Sequence, residues 1–132
     1  MCLHEVQFYE HESFLISRVS HFLGAALSAG HAAVVIATPE HRASFVQALA
    51  RNGNTPGDDL ILLDARETLQ QFMVKDWPDE VRFFALLGEV IVQASQGGAR
   101  KLHAFGEMVA LLCADGKPQA ALQLEHLWNQ LA

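Results

Sequence analysis

The sequence predicts an α/β fold, a three-layer sandwich with a mainly parallel central sheet, on three observations. Strand and helix patterns alternate along the chain, which in one domain implies parallel strands joined by right-handed helical crossovers. The run Ala32-Ala33-Val34-Val35-Ile36-Ala37 is apolar at both parities, as a strand covered on both faces must be. Directly after it, Thr38-Pro39 starts a helix, with Thr38 as cap and Pro39 at the first helical position.

The elements follow in order. A first strand is expected over Glu5 to Tyr9, where Val6 and Phe8 alternate with Glu5, Gln7 and Tyr9. From Ser13 to Ala29, apolar residues including Phe14, Val19, Phe22, Leu23 and Ala26 recur at helical spacing, and Gly30 closes the helix. Ala32 to Ala37 is the central strand, followed by a helix whose buried stripe is read as Phe45, Val46 and Leu49 and which ends at Asn52-Gly53. After the loop Asn54 to Asp59, Leu60 to Ala65 forms a third strand that carries Asp64 near its end. A short helix over Arg66 to Met73 breaks at Trp77-Pro78-Asp79. The next helix presents Phe84, Leu87, Ile91 and Ala94, flanked by Phe83 and Val90, with Gly88 read as allowing close packing. Leu102 to Phe105 is the fourth strand. An apolar helix to Ala114, the turn Asp115-Gly116-Lys117-Pro118 and a last helix to Leu131 complete the chain.

With 132 residues, the chain is read as a single domain over 1–132 with one core. Only 18% of its residues are charged, so another chain or domain is expected to cover part of its apolar surface, as a homodimer or a docked partner would. Nine basic residues against fifteen acidic ones, with no basic stripe, exclude direct nucleic-acid binding. The start Met1-Cys2-Leu3-His4-Glu5 lacks the pattern of a signal peptide and no apolar segment has the length of a membrane span, so no membrane contact and a cytoplasmic location are expected. Cys2 and Cys113 are far apart and read as reduced thiols, Cys113 as a small buried hydrophobe.

The chemistry centres on Leu102-His103-Ala104-Phe105-Gly106-Glu107-Met108. In open α/β sheets ligands bind outside the carboxyl ends of the strands, so Glu107 is a candidate contact for a ligand or partner, and Asp64 parallels it. The competing reading is a turn at Gly106 and a solvated first-turn acid favoured by the helix dipole. No phosphate-binding loop is present: Tyr9-Glu10-His11-Glu12-Ser13 lacks glycine and lysine and carries two acids, and Gly116-Lys117 precedes Pro118 in a helix-helix turn. No two histidines stand at the i, i+4 spacing of a zinc protease, and no Gly-x-Ser-x-Gly elbow exists, so neither an enzyme nor a cofactor is expected. His21 reads as an ordinary helical histidine. On the last helix Ala121, Leu124, Leu127, Trp128 and Leu131 share an apolar face, which makes Trp128 first a packing anchor, with Glu125 one turn before it able to reach a partner.

Four segments stand together: His4-Glu5-Val6-Gln7-Phe8-Tyr9, Ala37-Thr38-Pro39-Glu40-His41-Arg42, Phe105-Gly106-Glu107-Met108 and Leu124-Glu125-His126-Leu127-Trp128-Asn129. In this order they resemble the MEDS domain, the methanogen and methylotroph sensory domain, over almost the whole chain. The resemblance implies a RecA- and KaiC-like fold with a degenerate phosphate-binding loop. It further implies a sensory role that couples a small ligand, such as a hydrocarbon derivative, to a histidine kinase or transcriptional regulator. His4, Phe8, Tyr9, Gly106, Glu107, Glu125, Trp128 and Asn129 carry the family-like pattern. His126 stands where an acid often accompanies the counterpart of Glu125, and no kinase or DNA-binding portion is visible, so the output partner is expected to be a separate protein.

Two readings follow. The first is a non-enzymatic sensory module with its site among His4, Phe8, Tyr9, Asp64, His103, Phe105, Glu107, Glu125 and Trp128. The alternative is a degenerate RecA-like nucleotide-binding or oligomeric structural subunit, which calorimetric binding of ATP or ADP would favour and which the acidic first loop opposes.

Overall fold

The computed structural model describes residues 2–5, 12–54 and 57–131. Its elements run β1 (Cys2–Glu5), α1 (Glu12–Ser28), β2 (Ala32–Ala37), α2 (Pro39–Arg51), a 3-10 turn (Gly57–Asp59), β3 (Leu60–Asp64), α3 (Ala65–Phe72), β4 (Met73–Val74), β5 (Trp77–Pro78), α4 (Glu80–Ala94), β6 (Leu102–Gly106), α5 (Met108–Ala114) and α6 (Pro118–Leu131). Among the described residues, β1, β6, β2 and β3 form a parallel sheet in that order.

β2 lies between β6 and β3, and every residue of it is buried. Its alternate side chains serve two separate cores, the reason the run is apolar at both parities. Ala33, Val35 and Ala37 join Phe105 of β6 beneath Leu23 of α1 and Phe45 and Leu49 of α2. Ala32, Val34 and Ile36 face the other way, into a core that α3, α4, α5 and α6 fill with Phe72, Phe83, Leu112, Leu124 and Trp128. The fold is therefore α/β, a small parallel sheet flanked by helices.

Caps mark the helix starts. Asp64 Oδ1 accepts from the backbone N–H of Glu67 at 2.9 Å, and Asp79 Oδ2 from that of Arg82 at 3.0 Å. Each satisfies a donor that the first helical turn would otherwise leave without an internal partner. Asp79→Ala is expected to cost about 1 kcal/mol of stability, read as a lower urea midpoint at unchanged slope. Thr38 occupies the cap position of α2 with Pro39 behind it, but its hydroxyl makes no capping bond.

Several details depart from the sequence reading. The first strand is described over Cys2–Glu5, earlier than expected, and Val6 to Tyr9 lie outside the described residues. Val46 is 44% exposed, and Ala48 takes its place beside Phe45 and Leu49, because the buried arc of α2 turns toward the C-terminal side of Phe45. On α4, Phe83 rather than Phe84 is fully buried, and Phe84 and Ile91 are partly covered. A Cβ at Gly88 would meet nothing within 4 Å, so this glycine supports no close approach. Cys113 is exposed, since α5 turns Met108, Val109 and Leu112 inward and Cys113 away.

An antiparallel pair, β4 with β5, fills the expected break between α3 and α4. Its two linking residues, Lys75 and Asp76, have φ of 52° and 62°. A tight hairpin of this hand is usually signalled by Asn-Gly, and Lys-Asp hides it. Lys117 Nζ donates to Asp76 Oδ1 at 2.9 Å and holds the hairpin against the turn between α5 and α6.

Candidate functional site

The site is a consequence of where the helices go. After β2 the chain enters α2, which packs in the core under Phe105, whereas after its neighbours β6 and β3 it enters α5 and α3 on the opposite face. Adjacent strands that send their helices to opposite faces leave a crevice at their carboxyl ends. α2 begins with such a crevice on each side.

A bridge from its first turn spans each one. His41 Nδ1 lies 2.8 Å from both Oε1 and Oε2 of Glu107, across the β2/β6 crevice. Arg42 Nη2 donates to Asp64 Oδ2 at 3.3 Å, across the β2/β3 crevice. A carboxylate only accepts, so the Nδ1 nitrogen of His41 carries the proton in the first pair.

Local backbone places Glu107. Its N–H donates to the carbonyl of Ile36 at 2.9 Å, extending the β6–β2 ladder one residue past Gly106, and its own carbonyl accepts from Leu111 at the start of α5. Its side chain makes no capping bond, so the carboxylate is committed to the crevice rather than to the helix end. The His41 and Glu107 side chains are 17% and 12% exposed, enough shielding for the contact to be worth more than a surface ion pair.

The other predicted residues divide. Phe105 is buried in the core below His41, edge-on to Phe45 with ring centroids 5.6 Å apart. Trp128 is 4% exposed and approaches Gly106 from the opposite core, lining a small space there with Met108 and Leu124. These two support the crevice from below. Glu125 is half-buried on α6 and forms no ion pair among the described residues. His4 sits on β1 opposite Ala104 in register; Phe8 and Tyr9 lie outside the described residues. His41 and Arg42 stand in one of the family-like segments but not among the candidate site residues, and the first turn after a doubly buried strand is the signal that could have placed them there.

His103 is separate. It lies in the first half of β6, its Nε2 3.0 Å from His31 Nδ1, with the two rings stacked and Phe22 edge-on. Burial, then the neighbouring His31, pushes its pKa below the ordinary imidazole value. Folded His103 stays neutral where the unfolded chain takes up a proton, so stability falls as pH drops below about 6.5. The melting temperature should decline between about pH 7 and pH 5.5, and His103→Gln should flatten part of that decline. A slope unchanged by the substitution would remove His103 as its source.

Among the described residues no group of three or more His, Cys, Asp or Glu is placed to hold a metal ion, and no helix is long and apolar enough to cross a membrane. No curated protein and no solved structure matches the chain. The profile of the MEDS family does, over residues 3–132, and the chain therefore belongs to that family, the methanogen/methylotroph, DcmR sensory domain.

Proposed function

We propose that the chain is a non-enzymatic input module whose β2/β6 crevice takes up a small organic ligand and passes the event to a histidine kinase or transcriptional regulator. The observation that carries this reading is the His41–Glu107 bridge. It ties the first turn of α2 to the cap of α5, two helices anchored in different cores, so a ligand that takes over either partner changes how the two helices are held together. Membership of a sensory-domain family supports the same reading. The ligand class is a small hydrocarbon derivative with one polar group, for which Glu107 or His41 supplies the polar contact and the buried Phe105 and Trp128 keep the floor apolar.

In this reading the fold is the three-layer RecA- and KaiC-like one with its phosphate-binding loop lost. The helices on both faces of a parallel sheet support it, as does the absence of glycine and lysine from the sequence Tyr9-Glu10-His11-Glu12-Ser13. A cytoplasmic setting and homodimerisation complete the proposal; the reduced-cysteine composition and the low charged share support them.

A thermal-shift screen of short alcohols, aldehydes, amines and halogenated hydrocarbons tests it. At least one compound is expected to raise the melting temperature of the native chain and to lose that effect in Glu107→Gln. Stabilisation that survives in Glu107→Gln and His41→Ala would place the ligand elsewhere, and no stabilisation across the screen would remove the small-molecule reading.

A further inference from the structure

A second concavity, separate from the bridged crevices, runs along the outer face of α1 and reaches His31, before β2, and His103 in the first half of β6. This groove is open to solvent and has a volume of about 730 Å³, within the range of small-molecule sites. One wall is aromatic, with Phe14 about half exposed and Phe22 edge-on to His103. Ala25 and Ala29, one helical turn apart, leave the α1 side smooth, and the stacked His31 and His103 rings form the far end.

Polarity is arranged at one end of this groove. Arg18 lies 5.8 Å above the Phe14 ring, and His21 follows it within a turn on the same exposed face. A groove with a cationic end and an aromatic, small-residue body matches a flat molecule that carries one negative group. Carboxylate suits the Arg18 guanidinium, whose planar fork binds it in paired hydrogen bonds. From Arg18 to Ala29 the helix rises about 16 Å, which accommodates a two-ring body beyond the carboxylate.

We infer that this groove is a binding site for an aromatic carboxylate, with the anion at Arg18 and His21 and the rings against Phe22, Ala25, Ala29 and the His31–His103 pair. The neutral state in which burial holds His103 leaves its ring a stacking surface rather than a second cation. The site is independent of the His41–Glu107 crevice, so it stands whether or not that crevice takes a ligand.

The probe is 2-naphthoate, followed by calorimetry and by amide chemical shifts of the native chain. Binding is expected, with shifts concentrated on α1 and on residues 102–104. Arg18→Gln should weaken it about tenfold, the loss of one charge-assisted contact, and neutral 2-naphthamide should bind at least tenfold more weakly than the acid. Ala25→Trp, which fills the groove at an exposed helical position, should abolish binding while leaving the circular dichroism spectrum unchanged. If Ala25→Trp fails to fold, the Arg18→Gln and naphthamide comparisons decide alone. Absence of binding by the native chain, equal binding of acid and amide, or shifts concentrated away from residues 14–31 and 102–104 would each overturn the inference. So would sedimentation of the native chain as a dimer that Ala25→Trp converts to monomer, because the face would then belong to a second copy.

Discussion

Phe83→Ala should lower stability by about 3–5 kcal/mol, a large share of the total for a domain of this size. Phe83 is fully buried and is the hub of an aromatic cluster: Phe72 at 5.2 Å, Phe84 at 5.3 Å and Trp128 at 6.1 Å between ring centroids, all edge-on. Its loss removes transfer free energy and leaves a void between α3, α4 and α6 that these rings cannot refill without abandoning their own packing. The melting temperature is expected to fall by roughly 10–20 °C. Phe84→Ala, at a partly covered position, should cost less than half as much. A larger loss in Phe84→Ala than in Phe83→Ala would show that the core is centred on Phe84 instead. The functional consequence is indirect: Trp128 leans on Phe83 and also lies beneath Gly106, so disorder in this cluster reaches the floor of the β2/β6 crevice.

The second large effect is expected at the bridge itself. His41→Ala and Glu107→Gln should each cost about 1–2 kcal/mol, since the first removes a hydrogen bond to a shielded carboxylate and the second gives His41 a neutral acceptor in place of the charged one. The double variant should cost clearly less than the sum of the two, with a coupling energy of about 1 kcal/mol in a double-mutant cycle. Additive losses would mean that the two side chains act independently. Binding gives the sharper readout. If a ligand competes with His41 for Glu107, then His41→Ala, which removes that competitor, should tighten the ligand even as it destabilises the free protein. A purely structural bridge predicts no such opposition between the two measurements.

Much of this was legible in the sequence, for identifiable reasons. The parity-independent apolar run at Ala32–Ala37 had one physical solution, burial on both faces, and it located the sheet centre and the helices on either side. The acids at strand ends, Asp64 and Glu107, were visible because a carboxylate between an apolar strand and a helix start is conspicuous. Their partners were not. His41 and Arg42 occupy a helix turn in which polar residues are unremarkable, and only the decision of α2 to pack on the opposite face from α3 and α5 brings them to those acids. That decision is made by packing at long range. Helical spacing likewise located the apolar arc of α4 and missed its centre by one residue, because Phe83 and Phe84 satisfy the pattern almost equally and the depth of each is set by Phe72 and Trp128, remote in sequence. The groove beside α1 was invisible for a related reason: Ala25 and Ala29 read as helix formers, and only the placement of His31 and His103 against that helix gives them a concavity to line.

β2 has one further implication. Its odd-numbered residues belong to one interior and its even-numbered residues to the other, so it is a party wall between two rooms of the protein. Anything that leans on its far end, where Ile36 receives the Glu107 amide, presses on both rooms at once. If the proposed ligand makes its contact at that point, it touches a strand whose side chains belong to both interiors, so helices on the two faces of the sheet share one wall with the binding event.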